Sequence, residues 1–342
     1  TSQEFTGYYA KSDAKHFVKI LDIVSDIYLN STFPETEMEK EKGVIIEEIN
    51  MYEDMPHRHV QDLLTDLLYG DQPAGWSVLG EKKNITGMKR EDFVKYKKEH
   101  YAPKATTIVV AGKISEKIAL KEIKNIFNDL KNTKKVGKKK VVESQKTPKV
   151  LLKYKETDQT HFVFGVRTFD LFDKRNATLD VLSGILGGGM SSRLFQKLRE
   201  EMGVGYYVRS YNDPSTDHGF FQISAGVDNK RIHEVLEAVL EECRKLKTYE
   251  VDDDELEKTK ECLIGNMKLS LESSDDIANF YGAQELLKKK IVLAEDRAKE
   301  LRKVTARDIK DLANSIFVDK NLNLALIGPF KEEKNFLKIL KF

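Results

Sequence analysis

Two glutamates of one predicted helix have a spacing that suits chemistry. Glu41 and Glu48 lie seven residues apart in the segment 35–54, and seven residues are close to two helical turns, so both carboxylates face the same side. Val44 and Ile45 share that side, where an unpaired charge is costly. The carboxylates therefore need partners, and the spacing alone favours a structural salt bridge over any other use.

An arginine and a tyrosine form a second candidate pair, in the stretch LGGGMSSRLFQKLREEMGVGYYV. Gly187–Gly189 provide a flexible turn, and Ser191 or Ser192 can cap the helix that follows. Arg199 lies in that helix and Tyr206 opens the next predicted strand. An Arg and a Tyr near a helix end can bind a peptide carbonyl or stabilise a developing oxyanion. The alternative is an ordinary solvated arginine.

The elements that must position these side chains alternate between helices and strands. Apolar residues at helical spacing and β-branched runs predict an α+β fold. Asp13 is the expected N-cap of the first helix, and Met55-Pro56 ends the helix that carries Glu48. The expected strands are 1–10, 106–112, 150–154, 160–166, 206–211 and 219–226, and the expected helices include 14–29, 35–54, 60–68, 89–101, 115–130, 175–186 and 192–201.

Composition excludes several classes of protein. The 342 residues are 40% hydrophobic and 33% charged with a net charge of +1, so no basic field favours nucleic acid or an anionic membrane. No apolar run reaches the ~18 residues of a membrane span, and no signal peptide is evident. Cys243 and Cys262 lack a C-x-x-C spacing, which predicts buried or idle thiols and favours a cytoplasmic location.

An internal repeat organises the chain. Three groups of positions match at nearly constant offsets, and chance similarity among amphipathic helices is the competing explanation. The clearest pairs are Asp92 with Asp308, Tyr101 with Phe317 and Gly112 with Gly328 (328 − 112 = 216), Ala10 with Ala225 and Asp13 with Asp228 (offset 215), and Glu37 with Glu255 and Lys42 with Lys260 (offset 218).

The repeat separates the two glutamates from their neighbours. Glu41 and Glu48 correspond to Thr259 and Asn266 in the second copy. A carboxylate needed only for the fold would more often survive in both copies, so the loss fits one active and one inactive half. The second copy begins near Lys149, and its counterpart would begin near position −67 (149 − 216). We therefore expect roughly 70 residues to be absent before Thr1.

Four stretches together resemble the insulinase/pitrilysin family of zinc metallopeptidases, most closely its short branch similar to the mitochondrial processing peptidase. TSQEFTGYY resembles the strand after that family's zinc-motif helix, and EKEKGVIIEEINMYEDMP resembles the segment that bears its third zinc ligand. GDQPAGWSVLG with NITGMKREDFVKYKKEHYAP resembles the end of its first domain. GGGMSSRLFQKLREEMGVGYYV resembles the hallmark of its second domain.

The resemblance implies a role for each candidate residue. Glu48 matches the zinc ligand and Glu41 the glutamate that supports the site. Arg199 and Tyr206 match the pair that contacts substrate near the scissile bond. Thr1 and Ser2 fall at the end of the edge strand on which the family lays an extended peptide.

The sequence departs from the family in its histidines. The family's chemistry needs H-x-x-E-H on a helix, and none of the seven histidines forms that motif; His57 and His59 lack its spacing. By the repeat, the motif belongs to the absent segment, which would also supply the remaining zinc ligands. The chain as given is expected to be inactive, because catalytic zinc needs three protein ligands.

The resulting expectation is an α+β protein of two homologous domains, each a largely antiparallel sheet with helices packed on it, the first truncated at its N-terminus. The domains are 1–130 and 150–342, joined by a basic linker, 131–149, that is solvated or, alternatively, binds a polyanion. The implied function is zinc-dependent cleavage of peptides or unfolded segments by a homodimer or heterodimer. The alternative is a non-catalytic partner or structural subunit with the same fold.

Overall fold

The computed structural model describes residues 1–130 and 136–342, so residues 131–135 of the predicted linker lie outside the described residues. The α-helices are α1 (Phe17–Leu29), α2 (Glu35–Asp54), α3 (Pro56–Tyr69), α4 (Lys82–Gly87), α5 (Arg90–His100), α6 (Glu116–Phe127), α7 (Asn176–Gly187), α8 (Arg193–Phe195, continued by a π-helical turn, Gln196–Glu201), α9 (Ile232–Thr248), α10 (Asp253–Leu269), α11 (Ser274–Lys288), α12 (Ala294–Arg302), α13 (Ala306–Ile316) and α14 (Glu333–Leu337).

The strands of the described residues form one sheet. They are β1 (Lys149–Tyr154), β2 (Gln159–Arg167), β3 (Gly205–Pro214), β4 (Gly219–Asp228) and β5 (Asn323–Gly328). Their order is β1-β5-β2-β4-β3, and every pairing is antiparallel except the parallel pair of β1 and β5. The expected α+β class with a largely antiparallel sheet is confirmed.

The chain divides into two compact units that do not follow the chain order. Unit 1 contains Thr1–Ile49, Val78–Lys139 and Met267–Val292, and unit 2 contains Asn50–Ser77, Lys140–Asn266 and Leu293–Phe342. Two segments lie in the unit that holds most of the other copy of the repeat: Asn50–Ser77 in unit 2 and Met267–Val292 in unit 1. We call them the exchanged segments; their first positions differ by 217 (267 − 50), which lies within the range of the repeat's offsets. Each copy of the repeat thus contributes one equivalent segment to the unit that contains most of the other copy.

In unit 2 the exchanged helix α3 covers the sheet. Its apolar side, Val60, Leu64 and Leu68, is almost fully buried and packs with Val163 of β2 and other residues of the sheet. Gly165 of β2 makes room for this packing, because a Cβ there would lie 2.9 Å from Leu64 Cδ2. Helices α7, α9 and α13 enclose further core residues such as Leu182, Val239 and Ala313.

In unit 1 the expected strands 1–10 and 106–112 are wrong, because no strand is assigned within its described residues. By the repeat, residues 4–13 correspond to β4 and 107–112 to β5 (228 − 215 = 13; 328 − 216 = 112). In unit 2 these two strands do not pair with each other, since β2 lies between them. The described residues of unit 1 contain no counterpart of β2, so neither segment has a ladder partner.

Helix positions support the repeat. The first positions of α1 and α9 differ by 215 (232 − 17), those of α2 and α10 by 218 (253 − 35), and those of α5 and α13 by 216 (306 − 90). Their caps repeat as well. Asp13 and Asp228 each accept a hydrogen bond from the backbone N–H two residues on, at 3.0 and 2.8 Å. The predicted helix 60–68 starts earlier than expected, at Pro56, where proline suits a first helical position.

Candidate functional site

Glu41 and Glu48 lie on α2, as predicted from their spacing. Glu41 is exposed and Glu48 is half-buried. The expected structural salt bridge is absent: among the residues that the structure describes, no cation pairs with either carboxylate. Two ion pairs near them on this helix instead join Lys40 to Glu37 at 2.7 Å and the largely buried Lys42 to the exposed Glu39 at 2.6 Å.

The second copy shows what the corresponding helix face does when it carries no carboxylate. Thr259, the counterpart of Glu41, is 7% exposed on α10. It packs against α7, where a Cβ on Gly184 would lie 2.6 Å from Thr259 Cγ2 and 3.3 Å from Leu263 Cδ1. At Thr259 this face of α10 is thus a helix-packing surface, whereas Asn266, the counterpart of Glu48, is exposed. Within its described residues, unit 1 holds no counterpart of α7 against the same face of α2.

Arg199 and Tyr206 are brought together by the backbone of Gly205. Arg199 lies in the π-helical turn that continues α8, and its Nη1 donates a hydrogen bond to the carbonyl oxygen of Gly205 at 3.1 Å. Gly205 pairs with Val227 of β4 and Tyr207 pairs with Gly226, so Tyr206 is the extra residue of a β-bulge. A bulge redirects a side chain out of the regular alternation of a strand, and Tyr206 is 64% exposed.

An ion pair holds the start of the segment that carries Arg199. Arg193, the first residue of α8, donates from Nε and Nη2 to the two carboxylate oxygens of Glu255 on α10, at 2.9 and 2.6 Å. Both side chains are largely buried, with 20% and 17% exposed. Ser192 occupies the N-cap position, but its hydroxyl donates to the Gly189 carbonyl oxygen at 2.6 Å, so the expected serine cap is not made.

Thr1 and Ser2 do not lie at the end of a strand, which corrects the basis on which they were expected to bind substrate. Both are exposed. Ser2 closes a short bend, in which its backbone N–H donates to the Phe5 carbonyl oxygen at 2.8 Å. An edge strand needs a neighbouring strand to which it can hydrogen-bond, and residues 1–10 have none within the described part of unit 1.

The structure keeps the candidate residues in two groups: Glu41 and Glu48 belong to unit 1, and Arg199 and Tyr206 belong to unit 2. In residues 1–130 and 136–342, no three His, Cys, Asp or Glu side chains are grouped to hold a metal ion. Glu48 offers one oxygen donor of a type that zinc accepts. These residues alone therefore do not fit a catalytic zinc ion.

Sequence reasoning missed a cluster of titratable side chains in unit 2. His57 and His59 from α3, Lys153 from β1, His161 from β2 and Tyr207 from β3 lie together on the sheet. These residues come from distant parts of the chain. They are brought together by the register of the strands and by the packing of α3 on the sheet. No local pattern in the sequence could have identified the cluster.

Every helix in the described part of the chain is too short or too polar to span a lipid bilayer.

Comparison with known proteins identifies the family. Residues 1–82 match the family described as Insulinase (Peptidase family M16), and residues 87–263 match the Peptidase M16 inactive domain. The uncharacterized zinc protease YmxG of Bacillus subtilis is 35% identical over 331 residues, which cover 96% of this chain and 80% of the relative. The uncharacterized zinc protease SCO5738 of Streptomyces coelicolor is 29% identical over 98% of this chain and 74% of its own length.

Solved structures share the fold. A protease from Helicobacter pylori superposes with a TM-score of 0.86 at 22% identity, covering 93% of this chain and 78% of its own. A chain of Complex III2 from Candida albicans superposes with a TM-score of 0.80 at 15% identity, covering 96% and 79%. The two matched domains, which follow each other along the sequence, and the identity to YmxG show that this chain belongs to peptidase family M16, the insulinase family.

Proposed function

We propose that this chain is part of a zinc-dependent endopeptidase that cleaves peptides or unfolded protein segments. In this proposal Glu48 is one zinc ligand and Glu41 supports it. Arg199 and Tyr206 bind the peptide near the scissile bond. Zinc, when bound, would supply a Lewis acid at the scissile carbonyl. The parent protein acts as a homodimer or a heterodimer and needs neither nucleic acid nor a membrane.

The observation that supports the proposal most strongly is the unpartnered pair of carboxylates on α2. In α10 the counterpart of Glu41, Thr259, packs against α7, whereas the counterpart of Glu48, Asn266, is exposed. On α2 the same face instead presents two carboxylates to which the described residues offer no cation. A half-buried carboxylate without a partner is costly, and a metal ion would offset that cost.

The geometry of Arg199 and Tyr206 suits the proposed contact with a peptide. One guanidinium nitrogen of Arg199 is held by the Gly205 carbonyl oxygen. A guanidinium has further N–H donors, which remain available for a substrate carbonyl. Tyr206, which follows Gly205 in the chain, is exposed at the bulge. Both groups can donate to an oxygen that gains negative charge during peptide hydrolysis.

Residues 1–342 hold one of the three protein ligands that catalytic zinc requires. We therefore expect the purified chain to bind zinc below one equivalent and to leave an unstructured peptide intact. Robust hydrolysis that a chelator abolishes would contradict this expectation.

The deciding experiment reads the coding sequence directly upstream of the codon for Thr1 and expresses the extended protein. We expect in-frame codons with H-x-x-E-H, one equivalent of zinc, and cleavage of an unstructured peptide. Glu48→Gln should remove zinc and activity, whereas Glu39→Gln, which changes an exposed glutamate of the same helix, should retain both. An upstream region without the motif, or a start codon adjoining Thr1, would overturn the proposal.

A non-catalytic partner subunit is the second candidate. One observation favours it: the fold is shared with a chain of Complex III2. In that case the extended protein would purify without zinc and bind a second subunit stably. Retention of both glutamates together with Arg199 and Tyr206 favours the peptidase.

A further inference from the structure

One cross-strand row spans the full width of the sheet in unit 2. Register pairs Lys153 of β1 with Ile327 of β5, Ile327 with His161 of β2, His161 with Gly226 of β4, and Gly226 with Tyr207 of β3. The absence of a side chain at Gly226 lets the rings of His161 and Tyr207 stack, with centroids 5.9 Å apart and planes 23° apart. His161 Nδ1 lies 3.2 Å from the Tyr207 hydroxyl.

The first turn of α3 contacts this row through two histidines. His59 Nε2 lies 2.7 Å from Lys153 Nζ, and the ring of His57 lies 6.2 Å from that of His161. A lysine ammonium can only donate a hydrogen bond, so His59 Nε2 must accept it and the ring must be neutral. We call these five side chains (His57, His59, Lys153, His161 and Tyr207) the histidine anchor.

Protonation of the His59 or His161 ring would turn these favourable contacts into electrostatic repulsion. A charged His59 would place two cations 2.7 Å apart and leave the Lys153 ammonium without its acceptor. A charged His161 would face His57 and the N-terminus of α3, whose dipole is positive at that end. Because both contacts join α3 to strands, their loss acts at the junction between the helix and the sheet.

Few negative charges are near enough to compensate. At the end of α2, Glu53 raises the pKa of His59, but this effect is smaller than those of burial and of Lys153, which lower it. Asp54 is paired with Lys155 at 3.1 Å. On α3, burial raises the pKa of Asp62, which weakens its negative charge at acidic pH.

Three further groups near the anchor are basic. Arg58 on α3 stacks on the ring of Tyr52, 5.4 Å from its centroid. Lys155 at the end of β1 lowers the pKa of His59, and Arg209 lies two positions from Tyr207 on β3. β4 and β5 contribute Gly226 and Ile327 to the row.

The direction of the pH dependence follows from burial. Burial first, and then the charge of His57, lower the pKa of His161 to about 4, from an ordinary value near 6.5. A histidine whose pKa is lower in the folded state binds fewer protons there than in the unfolded state. Its contribution to stability is therefore complete above about pH 6.5 and is lost as the pH falls towards 4.

We propose that the histidine anchor is an acid-sensitive attachment that holds the first turn of α3 on the sheet at neutral pH and releases it in mild acid. Release uncovers the apolar side of α3, which begins at Val60. The inference is independent of zinc binding and of catalysis, since every group in the anchor lies in unit 2.

Hydrogen exchange of the full chain at pH 7.5 and pH 5.0 tests the proposal. The amides of Arg58 and His59, both bonded to the Met55 carbonyl oxygen, report the first turn of α3. Those of α9 in the same unit are the internal reference. After correction for intrinsic exchange, we expect the opening of α3 relative to α9 to rise about tenfold or more at pH 5.0, since one pKa unit of difference corresponds to a factor of ten.

Two variants identify the groups responsible. His59→Gln combined with His161→Phe keeps an acceptor for Lys153 and a ring for Tyr207 but cannot gain charge, so the rise should disappear. His16→Gln, at an exposed histidine of unit 1, should leave it intact. If the double variant does not fold, His59→Gln alone should reduce the rise. An unchanged opening ratio at pH 5.0, or an equal rise without the two histidines, would overturn the proposal.

Discussion

Gly226 is the residue on which the packing of the histidine row depends. A Cβ at this position would lie 2.6 Å from Tyr207 Cε1 and 3.2 Å from His161 Cε1. We predict that Gly226→Ala destabilises unit 2 by about 1–3 kcal/mol, because the stacked rings must move apart. Urea unfolding followed by the fluorescence of Trp76, which is the single tryptophan and lies in unit 2, measures the change.

The matched control is Gly265→Ala, in the interior of α10, where a Cβ would meet nothing within 4 Å. Alanine has a higher helix propensity than glycine, so this variant should gain up to about 1 kcal/mol. Equal effects of the two substitutions would show that the rings of the row adjust without cost.

Glu255 is the partner on which the position of Arg193 depends. We predict that Glu255→Ala costs about 1–3 kcal/mol, because it leaves a largely buried guanidinium without its carboxylate. Glu237→Ala should change stability little, since Glu237 is 56% exposed and its partner Arg244 retains Glu241. Urea unfolding of both variants measures the free energy of unfolding. If Glu255→Ala lowers it no more than Glu237→Ala does, the Arg193–Glu255 ion pair does not stabilise the fold.

At this scale the sequence located Arg199 in a helix and Tyr206 at the start of a strand, and both placements are confirmed. It could not predict the bulge at Tyr206, because a bulge is a property of the register between β3 and β4. The π-helical turn at Arg199 was equally inaccessible, since helical periodicity in the sequence does not distinguish it from an α-helix. The roles of Glu41, Glu48, Arg199 and Tyr206 stay predictions.

Helices α5 and α13 lie at equivalent positions of the repeat, and both have capping hydrogen bonds at their N-termini. The reciprocal pair of bonds is complete only at α13. At α13, Thr305 Oγ1 accepts from the Asp308 N–H at 3.1 Å, and the Thr305 N–H donates to the Asp308 carboxylate at 2.9 Å. At α5, Lys89 makes only the second of these bonds, to Asp92 at 2.8 Å.

We predict that Thr305→Ala destabilises α13 by about 1 kcal/mol, because an N–H of the first turn loses its acceptor. Lys89→Thr should stabilise α5 by about 0.5–1 kcal/mol, because it adds the hydroxyl that α13 already has. Hydrogen exchange of the two helices measures both effects. Loss of protection in α5 on Lys89→Thr would contradict the prediction.

Element prediction succeeded where the pattern was local and failed where an element needs a distant neighbour. The seven helices expected between residues 14 and 201 agree with the structure to within about four residues, because spacing and caps belong to the segment itself. The segments 1–10 and 106–112 have the composition of strands, yet they form no ladder in the described part of unit 1. Ile108, Val109 and Val110 are 39%, 44% and 36% exposed there, as expected for strand-forming residues without an adjacent strand.

At the scale of the whole molecule, the sequence repeat predicts two homologous halves but not their exchange of helices. The repeat matches α3 to α11, whose first positions differ by 218 (274 − 56). Nothing in that match says that α3 packs on the strands of residues 149–328. An amphipathic helix specifies that one side must be buried, and not which sheet will cover it.

The exchange predicts how the protein responds to a cut between its halves. Residues 1–139 carry α3, whereas residues 140–342 carry the sheet that α3 covers. Without α3, the fragment 140–342 exposes Val163 and its apolar neighbours, so we expect it to aggregate when expressed alone. Expressed together, the two fragments should form a stable complex that purifies at one to one.

A substitution at Leu64 tests whether the complex of the two fragments depends on α3. Leu64→Asp in fragment 1–139 should weaken the complex strongly but need not abolish it, because Leu64 is fully buried against Gly165 and a charge there has no partner, whereas α11 of the other fragment still belongs to unit 1. Asp66→Asn, at an exposed position of the same helix, should leave it intact. A fragment 140–342 that folds as a monomer, or a complex whose affinity Leu64→Asp leaves unchanged, would show that the exchanged helix is not needed to complete unit 2.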